Sequence, residues 1–125
     1  AFKNCTSLSS IIIPDSVISI ENSAFGFCSV LTSVTIGNSV TNIGNNAFKN
    51  CTSLSSIIIP DSVTSLGDMA FYNCSSLTSV TFEGNAPSLG NDVFSGVHAT
   101  ATIYVDTGAS GYTNPFGGLP VVVLP

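Results

Sequence analysis

A period of 23 residues constrains this chain more than any other feature, because the segment Ala1–Val17 recurs residue for residue as Ala47–Val63. Phe2, Phe25, Phe48, Phe71 and Phe94 fall in one column, each preceded by Ala or, in the last copy, by Val93. Cys5, Cys28, Cys51 and Cys74 follow three residues after the first four Phe, and Val97 takes that place in the fifth copy. Further columns contain Leu8, Leu31, Leu54 and Leu77; Ile11, Val34, Ile57, Val80 and Ile103; and Ile13, Ile36, Ile59, Phe82 and Val105. Val17, Val40, Val63 and Ala86, then Ile20, Ile43, Leu66 and Leu89, complete the pattern. A single repeat of this length cannot bury its own apolar face, so the copies must stack as the turns of a solenoid.

Within one period the residues divide into a strand, a bend, a second extended piece and a further turn. In Leu8-Ser9-Ser10-Ile11-Ile12-Ile13, the alternation points Ile11 and Ile13 inward and Ser10 and Ile12 outward. Pro14-Asp15-Ser16 makes the bend, since Pro fixes φ and Asp can bond nearby backbone. Val17 and Ile20 then turn inward from the second extended piece. Asn22, Asn45, Asp68 and Asn91 stand two residues before the Ala-Phe pair, or Val-Phe in the last copy, where each is expected to cap a single helical turn. Gly44, Gly67 and Gly90 precede three of them, but Glu21 holds the first such position, so a glycine-only backbone angle is not required there.

Composition limits the partners. Charged residues are only 7% of the 125, the net charge is -5, and Lys3 and Lys49 are the only cations. Nucleic acid and anionic membrane surfaces need clustered Lys or Arg, so both are excluded as partners. No run of about 18 apolar residues is present to insert this segment in a membrane. The chain opens within a repeat and carries no signal peptide, which reads as a fragment or processed piece.

The pattern Leu-x-x-Ile-x-Ile-Pro, then Val-x-x-Ile, then Ala-Phe-x-x-Cys resembles the BspA-like class of leucine-rich repeats, found in bacterial cell-surface proteins and some protist surface antigens. The resemblance covers residues 1–105, read as five repeats with the first opening partway. It implies a horseshoe-like solenoid, mostly β, with one parallel sheet on its concave face and short helical turns opposite. It also implies an extracellular or cell-surface location and adhesion to a protein or glycan, including host matrix proteins. It transfers no catalytic residue, because its motif positions are core positions.

The last twenty residues break the pattern. After Ile103-Tyr104-Val105 come Asp106-Thr107-Gly108 and later Phe116-Gly117-Gly118-Leu119-Pro120, ending in Val121-Val122-Val123-Leu124. An open solenoid end exposes apolar columns and a bare strand edge, so 106–125 is read as a C-terminal cap whose final strand lies beside 103–105. The first repeat has no such device, which leaves self-association through the N-terminal end open.

Candidate chemistry is sparse. Zinc is held by close Cys pairs, whereas these cysteines lie one per repeat. Adjacent strands sit about 4.8 Å apart with side chains pointing the same way, which keeps Cβ atoms beyond the roughly 3.5–4.5 Å a disulfide prefers. The cysteines are therefore read as buried free thiols. His98 is the lone histidine and has no partner at dyad spacing. Asp15 and Asp61 are about 10 Å apart, too far to share one calcium ion. The triplets starting at Asn4, Asn50 and Asn73 match a glycosylation acceptor pattern only because the repeat recurs. The expectation is a protein without enzymatic activity, metal or cofactor.

What remains is the outward face of the sheet. Its candidate ligand-binding residues are Ser33, Thr35, Ser56, Ile58, Ser79, Thr81, Glu83, Thr102 and Tyr104, a small, hydroxyl-rich surface with acidic groups only toward its end. The favoured function is a surface adhesion module that binds through this face. The alternative is a structural repeat that assembles with copies of itself into a layer or filament.

Overall fold

The computed structural model describes residues 4–125, so the first member of the Phe column, Phe2, lies outside the described residues. Long strands alternate with short ones: β1 (Ser10–Ile13), β2 (Ser19–Ile20), β3 (Ser33–Ile36), β4 (Asn42–Ile43), β5 (Ser56–Ile59), β6 (Ser65–Leu66), β7 (Ser79–Phe82), β8 (Ser88–Leu89), β9 (Thr102–Asp106) and β10 (Val121–Leu124). The named strands pair in parallel, and from β1 to β9 the register equals the sequence period: Ile11 lies beside Val34, Ile57 beside Val80, and Val80 beside Ile103. That register follows from burial, since a slip by one residue would turn every Ile and Val of the strand out to solvent.

The parallel front sheet of the sequence reading is present, and a second ladder accompanies it. The two-residue strands form their own ladder, β2-β4-β6-β8. The long strands form the front sheet, paired as β1-β3 and, separately, as β5-β7-β9-β10. The gap between β3 and β5 falls where the later strand runs into Pro60. Glu83 N–H donates to the Ile59 carbonyl at 3.0 Å one repeat further on, and Pro60 has no N–H to make the equivalent bond.

The expected helical turns are also corrected, because no helix occurs among the described residues. The Ala-Phe segment is a run of tight turns with a left-handed residue at every fourth position, as in Asn46 and Asn50 (φ 59° each), or Met69 (56°) and Asn73 (59°). A right-handed helix cannot pass through such residues. Donors alternate along this segment. Asn46, Phe48 and Asn50 N–H groups reach the Asp68, Ala70 and Tyr72 carbonyls of the next repeat at 2.8–2.9 Å, while Ala47, Lys49 and Cys51 N–H groups bond three residues back. The turns thus make a third ladder between repeats.

Asn22, Asn45 and Asp68 do not cap their own turns. Each Oδ1 accepts the backbone N–H of the matching residue one repeat later, Asn45, Asp68 and Asn91, at 2.8 Å. Asp15 does the same for Asn38 N–H at 2.8 Å. Gly44 belongs to this contact: its φ is ordinary, but a Cβ there would come within 2.7 Å of the Asn22 nitrogen below it.

The core runs through the middle of the stack. Phe25, Phe48, Phe71 and Phe94 stack face to face at 5.3, 5.3 and 5.8 Å, with planes within 10° of parallel. The C-terminal segment closes on it: Tyr112 and Phe116 pack against each other and against Phe82. Ala109 and Tyr112, one period beyond Ala86 and Leu89, still pack against the core. Gly117 occupies the place of a sixth Phe, where even a Cβ would approach the Phe94 ring to 2.9 Å. The last strand then returns early, Val121 pairing with Ile103 only 18 residues back.

Candidate binding face

The period-2 pattern turns one residue in two of each front strand outward. Ser33, Thr35, Ser56 and Ile58 are exposed, Ser79, Thr81, Thr102 and Tyr104 are half-buried, and Glu83 is exposed just beyond β7. Ladder pairing aligns Ser56 with Ser79 and Thr102, and Ile58 with Thr81 and Tyr104. Ile12, 75% exposed, pairs with Thr35 at the other end of the face. Pro60 and Gly37, which alternation also sends outward, are buried instead, because the bends stack closely on one another.

One member of the face escaped the sequence reading. Val122 pairs with Tyr104 and is 45% exposed, so it extends the column Ile12, Thr35, Ile58, Thr81, Tyr104 by one more apolar point. Its segment, Val121-Val122-Val123-Leu124, has no alternation to tell one face from the other. The column carries no charge from Ile12 to Val122.

Two depressions flank this face. One, of about 290 Å³, opens on the first described repeat and is lined by Ile11, Ile13, Val17, Ile20 and Phe25, the apolar columns on which a preceding turn would stack. The other, of about 440 Å³, is polar, with Asp61, Thr64, Glu83 and Asn85 at its rim. Among the described residues, no three side chains of metal-binding type come together. No helix of the described residues is long and apolar enough to cross a membrane.

The turn side differs in character. Phe27 and Val30 are exposed there, and the Lys49 ammonium lies 6.0 Å from the Phe27 ring centre and 5.5 Å from that of Tyr72. Phe27 is an exception to local preference, a bulky residue at φ 62° in the column otherwise held by Asn4, Asn50, Asn73 and Gly96.

No disulfide joins the described cysteines, as expected. Cys28, Cys51 and Cys74 are fully buried, and the Cys51 and Cys74 thiols donate to the Phe25 and Phe48 carbonyls of the preceding repeat at 3.2 and 3.1 Å. Burial pushes the Cys51 thiol up to about 12 and raises Cys28 and Cys74 as well, which leaves these thiols protonated and unreactive at neutral pH. His98 lies exposed, its Nδ1 accepting the Thr100 N–H at 3.1 Å. Of the acceptor-pattern asparagines, Asn73 donates its amide to Asn50 Oδ1 at 2.8 Å, a bond between neighbouring repeats.

A family model described as a BspA type leucine rich repeat region matches residues 1–114 in six copies, one more than the period alone marks out. A leucine-rich repeat protein from Bacteroides ovatus ATCC 8483 superposes with a TM-score of 0.77 at 29% identity, over 99% of this chain and 32% of that one. The T. pallidum leucine rich repeat protein superposes with a TM-score of 0.72 at 26% identity, over 98% of this chain and 59% of that one. The chain therefore spans about a third of the first protein and under two thirds of the second. No curated protein sequence matches it.

Proposed function

Because this chain belongs to the BspA-type leucine-rich repeat family, we propose that it is the binding module of a cell-surface or secreted protein and attaches through the outward face of its front sheet to a protein or glycan. Repeats of this fold are typical of protein-interaction modules, and the family is commonly surface-associated in bacteria. The observation that carries the reading is the uncharged column from Ile12 to Val122. It places Ile58, 54% exposed, at its centre and Tyr104 near its end. Partly apolar faces with an aromatic anchor are where binding energy concentrates. Host matrix proteins and surface glycans are the partner classes proposed.

Ile58→Arg tests this, since the side chain points away from the core and the fold should survive. Against a panel of matrix proteins and glycans, this variant is expected to lose at least about tenfold in affinity for any partner the parent chain captures, equivalent to about 1.4 kcal/mol. Asn42→Arg, on the exposed face of the second sheet, should leave that affinity unchanged. Retained binding by Ile58→Arg together with loss in Asn42→Arg would move the interface to the second sheet.

A further inference from the structure

The strand β10 ends the front sheet, and its far side should present bare backbone groups to any strand of suitable register. Its phase is fixed by Ile103 N–H, which donates to the Pro120 carbonyl at 2.9 Å. In a parallel pair, backbone groups of alternate residues face the neighbour. Pro120, Val122 and Leu124 thus direct theirs toward β9, and Val121 and Val123 direct theirs to the open edge. At Val121 that edge is already filled. Asn114 Oδ1 accepts the Val121 N–H at 3.1 Å, and Asn114 Nδ2 donates to the Val121 carbonyl at 3.4 Å. One side-chain amide makes there the two bonds that a neighbouring strand would make.

The segment that carries Asn114 is held in place on both sides. Tyr112 donates its hydroxyl to the Gly84 carbonyl at 2.8 Å, and Phe116 exchanges backbone bonds with Leu119 at 2.9 and 3.0 Å. On the β9 side, Thr107 Oγ1 donates to the Leu124 carbonyl at 2.6 Å, which holds the end of β10 in register. With Asn114 at Val121, Val123 is the open position of the edge, and its side chain is 61% exposed.

We propose that Asn114 is an edge plug: its amide stands in for an absent strand at Val121 and so blocks strand addition by a second copy of this chain along β10. The role concerns assembly and is independent of the ligand face.

Asn114→Ala removes both bonds and leaves the aromatic contacts of Tyr112 and Phe116. In the full chain, hydrogen exchange at the Val121 amide should accelerate at least about tenfold, a local cost of about 1.4 kcal/mol. Exchange at the Ile103 amide should not change, which separates an opened edge from a general loss of the fold. Sedimentation velocity over a concentration series should then reveal larger species absent from the parent. Adding Val123→Pro, which removes the N–H at the open position, should return the chain to the parent's size. Two outcomes overturn the proposal: an Asn114→Ala chain no more associated than the parent, or a double variant that still assembles, which would assign the contact to the apolar face of the first repeat.

Discussion

At the scale of single residues, the turn segments depend on which side chains tolerate a left-handed backbone. Asn50 sits at φ 59°, donates its N–H to Tyr72, and accepts the Asn73 amide on its side chain. For an ordinary residue that backbone costs about 1–2 kcal/mol, and a lost hydrogen bond adds roughly 1 kcal/mol. Asn50→Ala should therefore lower stability by about 2–3 kcal/mol. Asn50→Gly, which loses the bond but keeps the backbone at ease, should cost nearer 1 kcal/mol. Urea denaturation of both variants measures the gap, and equal losses would remove the backbone angle from the explanation. The sequence hid this geometry because Ser23, Phe27, Met69 and Asp92 share the left-handed positions with asparagine, and glycine marks only one of them, Gly96. Asn22, Asn45 and Asp68 were identifiable as short polar acceptors. Which N–H they accept depends on how the next repeat lies over them, and that is set by stacking.

At the scale of one element, the column of thiols couples the turns to pH. A buried thiol raised above its ordinary 9.0 is neutral when folded and ionises readily once unfolded, so the unfolded chain holds fewer protons as pH rises. The stability these groups confer is complete below 9.0 and declines as pH climbs toward about 12, where Cys51 itself ionises. Tyr112, likewise raised by burial to about 12 and hydrogen-bonded to Gly84, adds to the decline above 10.0. Melting temperatures measured across pH 8 to 12 should fall in that window, and Cys51→Ala should flatten the slope while lowering the plateau. A melting temperature that rises with alkalinity would contradict the assignment. The thiol column was legible in the sequence because its spacing forbids a zinc cluster and disfavours a bridge. The carbonyls it meets were not, since Cys51 and Phe25 are brought together only by the stack.

At the scale of the whole molecule, the phenylalanine stack binds the repeats into one cooperative unit. Phe48 has a ring 5.3 Å away on either side and no solvent exposure. Phe48→Ala should cost roughly 3–5 kcal/mol, and the loss should be felt in neighbouring turns because each repeat is stable only through its contacts. A melting curve within a degree or two of the parent's would disprove that. The solenoid, its register and its outward face all followed from the apolar columns, because burial imposes the same period on sequence and structure. The division of the front sheet between β3 and β5 did not, since the side chains of β5, Ile57 and Ile59, fit the pattern and carry no sign of it. Val122 escaped for the converse reason, lying in four consecutive apolar residues that suit either face.

Equal register in every ladder before the closing strand has a genetic consequence. A duplication or deletion of one 23-residue unit in the interior would join Phe to Phe, Asn to Asn and strand to strand without a new packing problem, and the identity of residues 1–17 and 47–63 is the kind of template on which unequal recombination acts. The closing contacts of Phe82, Tyr112, Phe116 and Asn114 would pass through such an event intact. A lineage carrying this gene could lengthen or shorten its exposed column in steps of one strand, about 4.8 Å each, while keeping the same end.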